Sequence, residues 1–192
     1  MNAMARALLM ALVLTMTACT SEKRDPTPSP DDLSSSPSSS QFASDRHSYR
    51  LEVPAEWDVT EYDGIWTDFA QLSPGAEVPG EDVISAPDRS AFLVSNSMAI
   101  PDGVSPDDWL DELERRVGSG PSPDCKESSA TDVVAGEPTR VVEHRCEDMV
   151  IVGRSLTHGG RGYYFTIGVP TGDPTTAATL EGIVSSIEFV AP

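Results

Sequence analysis

Between residues 131 and 169 the chain reads as consecutive β-strands. Tyr163, Phe165, Ile167 and Val169 alternate with Tyr164, Thr166 and Gly168. A period of two places the first set on one face of a strand and buries it. Residues 131–135, 139–146 and 149–157 have the same character, divided by Gly136-Glu137-Pro138 and His158-Gly159-Gly160. Paired glycines take positive φ without steric cost, so the second divider is a hairpin turn. Strands joined this closely run antiparallel. Any fold for this chain must therefore be built around an antiparallel sheet.

The remaining elements add to that sheet. Tyr49, Leu51 and Val53 alternate with Arg50 and Glu52 and stop at Pro54, which predicts a strand. Residues 64–72 and 91–98 predict two more. Residues 101–118 carry the signals of a helix. Ser105 is placed as N-cap and Pro106 stands at the first helical position, with Asp107 and Asp108 in the first turn. Arg115 and Arg116 fall in the last turn, Gly118 can end the helix, and Trp109, Leu110, Leu113 and Val117 form an apolar stripe. Asp173 and Pro174 open a second helix, with Leu180, Ile183, Val184 and Ile187 on one side, before a short strand through Phe189. The order is strands, helix, strands, helix, strand. It predicts one α+β domain over residues 46–192, a curved antiparallel β-sheet with helices packed on it.

The N-terminus predicts an address. Arg6 precedes a short apolar run, followed by Met16-Thr17-Ala18-Cys19. About a dozen apolar residues are too few to cross a hydrocarbon core of roughly 30 Å, so residues 1–18 read as a cleaved signal peptide. The four residues ending at Cys19 resemble the lipobox of bacterial lipoproteins, which implies diacylglycerol on Cys19 and an anchor on the extracytoplasmic face of a cell membrane. Three cysteines are present in all. With Cys19 carrying lipid, Cys125 and Cys146 remain, and a disulfide between them suits an oxidising compartment. Metal binding is the competing reading, but only His144 stands near either cysteine, which makes no recognisable ligand set.

Residues 19–45 are rich in Ser, Pro, Asp and Thr and almost without apolar side chains. Such a stretch cannot bury enough surface to offset its ordering entropy, and it reads as a disordered tether. The formal net charge of the chain is −18. No basic face is present to displace phosphate counterions, so nucleic acid is excluded as a partner.

Two segments together resemble PsbP-like domains. Tyr49-x-Leu51-x-Val53-Pro54-x-x-Trp57 resembles their opening strand, and Leu180-x-x-Ile183-x-Ser185-Ser186-Ile187-Glu188-Phe189 resembles their closing helix and strand. Small tethered lipoproteins of actinobacteria with this domain are the nearest likeness. The resemblance implies an α/β/α sandwich around an antiparallel sheet and a binding or assembly role without catalysis. It names no ligand, because proteins sharing this fold do different jobs.

The candidate chemistry is sparse. Val142, His144 and Cys146 share one strand face, and a hydrolase would use His144 with nearby acids. No nucleophile elbow, zinc-protease helix motif or phosphate-cradling glycine loop is present. No metal or cofactor is implied. Asp102, Asp107, Asp108, Asp111, Glu112 and Glu114 crowd the first helix, but their spacing does not match an EF-hand loop, and they read as a solvated helix face. Residues 73–88, with three prolines and the acids Glu77, Glu81 and Asp82, form a stretch long enough to be functional. Together with the aromatic anchor Tyr62, these acids form the expected partner-binding lip, while Trp66 is expected in the core. The function expected is a lipid-anchored envelope protein that binds an envelope or secreted protein or another envelope component. The alternatives are a carrier of an apolar ligand held between sheet and helix, and an accessory hydrolase using His144.

Overall fold

The computed structural model of the chain describes residues 38–64, 66–67, 69, 81–117 and 124–190. These hold strands β1 (Ser39–Ser44), β2 (Tyr49–Pro54), β3 (Asp58–Glu61), β4 (Asp82–Ser85) and β5 (Phe92–Ala99), then helix α1 (Pro106–Val117). Strands β6 (Lys126–Val134), β7 (Glu137–Arg145), β8 (Met149–His158) and β9 (Arg161–Pro170) follow, then α2 (Pro174–Ser185) and β10 (Glu188–Phe189). One sheet has the order β3-β4-β5-β9-β8-β7-β6 and a smaller one the order β1-β2-β10. Every pairing in both is antiparallel.

Strand β9 shows how the layers are built. Its residues Tyr163, Phe165, Ile167 and Val169 pack with Leu180, Ile183 and Val184 of α2 and with Tyr49, Leu51 and Val53 of β2. The other face carries Tyr164, which packs against a second cluster of Trp109, Leu110 and Leu113 of α1 with Met98 and Trp66. Helix α1 therefore covers one face of the large sheet, and α2 with the small sheet covers the other. Gly162 sits where α1 comes closest: a Cβ there would run into the Trp109 ring. Absence of a side chain lets the indole lie directly on the strand.

Both helices start as their sequences dictate. The Asp108 backbone N–H donates to Ser105 Oγ at 3.1 Å, and the Ser105 hydroxyl donates to the Asp108 carboxylate at 2.6 Å. At α2 the Thr176 N–H donates to Asp173 Oδ1 at 3.0 Å; hydrogen bonding from the Thr176 side chain first, and from its backbone second, holds the Asp173 carboxyl below its usual range. Cys125 and Cys146 are joined by a disulfide, which closes the open end of the β6–β7 hairpin.

Three expectations change. The domain begins before residue 46, because β1 pairs along its whole length with β2, from Ser39 opposite Pro54 to Ser44 opposite Tyr49. An edge strand can be polar, and here Phe42 packs against the core while Ser44 is buried. Of the strand expected at 64–72, the described residues 64, 66, 67 and 69 are not in a strand and the others lie outside the described residues; Trp66 is buried beneath α1 and the Phe69 ring lies 5.5 Å from the Trp109 ring. The stretch 73–88 is not one loop, since it contains β4. An aspartate on the buried face of β4 breaks the apolar alternation that marks a strand. Residues 1–37, including Cys19, lie outside the described residues, as do 70–80 and 118–123.

Candidate binding cleft

Where α1 ends, the large sheet continues past it, and a cleft of about 350 Å³ opens between them. Strand register assembles it. Glu127 of β6 faces His144 of β7, and Ser129 faces Val142. His144 in turn faces Ile151 of β8, and Ser155 and Gly153 of β8 face Tyr164 and Thr166 of β9. Val142, Ile151 and Val117 from the last turn of α1 supply apolar walls. His144, Tyr164, Ser129 and Ser155 supply polar groups, and Glu114 and Glu127 supply carboxylates. A few convergent polar groups on an apolar lining are what small ligand sites offer, and the volume is at the lower end of their range of roughly 300–1,000 Å³.

Depth comes from a glycine. A Cβ on Gly153 would lie 2.6 Å from the Tyr164 hydroxyl, so the bare backbone gives the ring its place. Burial pushes the Tyr164 hydroxyl above its usual value of 10.0, so it is a neutral group. His144 is nearly buried, with Nδ1 3.8 Å from Glu127 Oε2. At this spacing the two form an ion pair only when the imidazole is protonated.

The cleft mouth is acidic despite Arg140. That one guanidinium lies 2.6 Å from Asp111, 3.4 Å from Glu114 and 3.6 Å from Asp107. Its pairing with Asp111, ahead of Glu114, raises its pKa above the ordinary guanidinium value. One positive charge is thus shared among three carboxylates. Farther round α1, Arg115 and Arg116 both turn to Glu112, at 2.5 and 2.8 Å. The crowded acids of α1 are therefore a salt-bridged helix face. Among the described residues, no group of three or more His, Cys, Asp or Glu is placed to hold a metal.

A second polar cluster lies in the core. The Tyr49 hydroxyl donates to Asp82 Oδ2 at 2.9 Å and also hydrogen-bonds Ser95. Ser97 Oγ accepts from Arg161 Nη2 at 2.7 Å and lies 2.8 Å from His47 Nδ1, while His47 Nε2 is 4.0 Å from Asp82 Oδ2. With one donor and two acceptor sites, the Ser97 hydroxyl serves both Arg161 and His47. Serine, histidine and aspartate so arranged look like a hydrolytic triad. Ser97 and His47 are 0% exposed and Asp82 is 1% exposed, so no substrate reaches them. The Tyr163 hydroxyl also donates to the His47 carbonyl at 3.0 Å. This cluster pins the β1–β2 turn to the large sheet.

Of the residues expected to form a partner-binding lip, the structure brings Tyr62 and Glu81 together and turns Asp82 inward. Tyr62 is 54% exposed and its backbone N–H donates to the Glu81 carbonyl at 2.9 Å, so these two sit together at the end of β3 and β4. Glu81 is half-buried; burial raises its carboxyl pKa, and Asn96 donates to it at 3.4 Å. Asp82 points inward to Tyr49 and cannot offer its carboxylate to a partner. Glu77 lies outside the described residues. Strands β3 and β4 stand at the opposite edge of the sheet from the cleft. His158, at the β8–β9 turn, lies 2.8 Å from Glu137 and stacks on Phe189.

No family model and no curated protein sequence matches the chain. Solved structures do match. The solution structure of cyanobacterial PsbP (CyanoP) from Synechocystis sp. PCC 6803 aligns at a TM-score of 0.53 with 15% identity, covering 86% of this chain and 99% of that one. LpqN, involved in cell envelope biogenesis of Mycobacterium tuberculosis, aligns at 0.47 with 10% identity, over 80% of this chain and 91% of that one. A point mutant of the protein Mog1 aligns at 0.48 with 13% identity, over 80% and 96%. The chain has an α+β fold of antiparallel sheets and two helices, similar to that of CyanoP.

Proposed function

We propose that this chain is a lipid-anchored, extracytoplasmic binding module that engages a protein partner without catalysis through the cleft at the end of α1. The observation that supports this most is the contrast between the two polar clusters. The group that looks most like catalytic machinery is sealed in the core, where it ties the two sheets together. The cleft is open and combines apolar walls with a few oriented polar groups. A fold similar to that of CyanoP is compatible with such a role.

In-cell photocrosslinking tests the reading. A photoreactive residue is placed at Ser129 in the cleft and, separately, at Tyr62 on the far edge of the sheet. A reproducible protein adduct from Ser129 and none from Tyr62 is the expected result. Adducts from Tyr62 alone would move the interface to the β3–β4 end and sink the cleft as its site.

One observation favours a hydrolytic reading: His144 lines the cleft together with Ser129 and Ser155. His144→Ala separates the two. A hydrolase using His144 loses the cellular phenotype while the Ser129 adduct persists, whereas in a binding module adduct and phenotype are kept or lost together.

A further inference from the structure

We infer that the cleft receives a basic side chain of the partner, arginine above lysine. The inference rests on the cleft being the partner-binding site and names what that site recognises.

Charge carries the first part. Glu127 and Glu114 stand at the cleft with partly exposed carboxylates. Glu114 has only a share of Arg140, which also serves Asp111 and Asp107. The other cations of α1, Arg115 and Arg116, are taken by Glu112. The last turn of α1 brings the negative end of the helix dipole to the same place through Glu114 and Val117. His144, 3.8 Å from Glu127, is the basic side chain of the lining itself, against the two carboxylates of Glu114 and Glu127. A chain of net charge −18 adds a long-range field of the same sign. An anion is disfavoured at each of these levels.

Shape carries the second part. Val117, Val142 and Ile151 are apolar and match an aliphatic stem, while a bare ammonium or metal ion would leave them in contact with nothing. Tyr164 contributes an aromatic wall suited to a planar cation. A guanidinium adds two parallel donors that fit one carboxylate. The cleft volume of about 350 Å³ suits one side chain rather than a lipid acyl pair.

Peptides provide the test. The full-length chain in detergent is titrated with short neutral peptides that differ at one central residue, Arg, Lys, Gln or Glu, followed by ligand-observed NMR. The Arg peptide is expected to bind about tenfold more tightly than the Gln peptide, with Lys between them and Glu weakest. The gap should close near 1 M salt, where the Debye length falls to about 3 Å. Glu127→Gln and Glu114→Gln are expected to remove most of the Arg preference, read as the ratio of Arg-peptide to Gln-peptide affinity, in variants whose circular dichroism shows the fold retained. Equal binding of the Arg and Gln peptides, or a preference that survives both substitutions, overturns the inference. Crosslinks from Ser129 in cells alongside a flat peptide series would retain the cleft as the interface and discard only its charge assignment. A clear Arg preference without any cellular adduct would retain the recognition chemistry and discard the protein-partner function.

Discussion

Tyr49 begins as one apolar tooth of an alternating strand and ends as the donor that makes a buried aspartate tolerable. Its hydroxyl is the hydrogen-bond donor to Asp82 Oδ2, and both residues are essentially without solvent exposure. Tyr49→Phe keeps the ring packing and removes the donor, so it should cost about 1–3 kcal/mol, measured by chemical denaturation. A cost near zero would mean that Asp82 finds another donor. The same residue sets an alkaline limit. Burial first, then the Asp82 charge, raises the Tyr49 pKa well above 10.0. A raised folded pKa means the neutral form is favoured by folding: that contribution is complete below pH 10.0 and is lost as the pH climbs above it. Stability should therefore fall above pH 10, with the Tyr49 part of the tyrosinate absorbance, isolated by difference against Tyr49→Phe, appearing together with unfolding; a Tyr49 signal that titrates in the intact fold would contradict its burial. Gly162→Ala would push a methyl into the Trp109 ring and should cost about 1–3 kcal/mol through overpacking.

At the scale of elements, the disulfide does the most with the fewest atoms. Cys125 and Cys146 are 21 residues apart and close the β6–β7 end beside the facing pair Glu127 and His144. On the chain-entropy model such a bond contributes about 3 kcal/mol. Reduction should lower the melting temperature by about 6–12 °C, at roughly 2–4 °C per kcal/mol. It should also weaken any ligand of the cleft, because the strand carrying Glu127 loses its end constraint. Calorimetry with and without reductant checks the first, and an unchanged melting temperature would show that the hairpin is held by its ladder alone. Sequence pattern located α1, α2, β5, β7, β8, β9 and the glycine hairpin, because caps and periodicity are local signals. It missed β1, whose side chains are mostly Ser and Gln, and β4, whose buried face carries Asp82. It also put a strand at 64–72, where Trp66 and Phe69 instead pack against α1. The cleft was legible only in part: sequence put Val142 and His144 on one strand face and allowed a ligand between sheet and helix, but not the rest of the lining. Its lining comes from α1, β6, β7, β8 and β9, and only the register sets Glu127 across from His144 and Ser155 across from Tyr164. The lip expected from Tyr62 and the acids of 73–88 followed loop composition, which does not tell an inward carboxylate from an outward one.

For the molecule as a whole, the expected lipid anchor at Cys19 can be weighed against the charge and helices of the chain. No helix among the described residues is long and apolar enough to cross a bilayer. A net charge of −18 repels anionic headgroups, so adsorption through the surface is unfavourable and becomes less so only as salt screens it. If lipid on Cys19 is the attachment, Cys19→Ala in a chain whose signal is still cleaved removes that attachment and leaves the charge repulsion. The whole pool should then move from the membrane to the soluble fraction at low and at high salt, with the same melting temperature as the parent domain. Because the domain begins at β1, truncation as far as residue 36 should have the same effect on location without loss of stability, whereas cutting at residue 46 removes β1 and exposes the edge of β2. Fractionation with melting curves on these three variants separates the roles. Retention of Cys19→Ala on membranes would show that another part of the chain holds it there, and an unchanged melting temperature after cutting at 46 would remove β1 from the folded core.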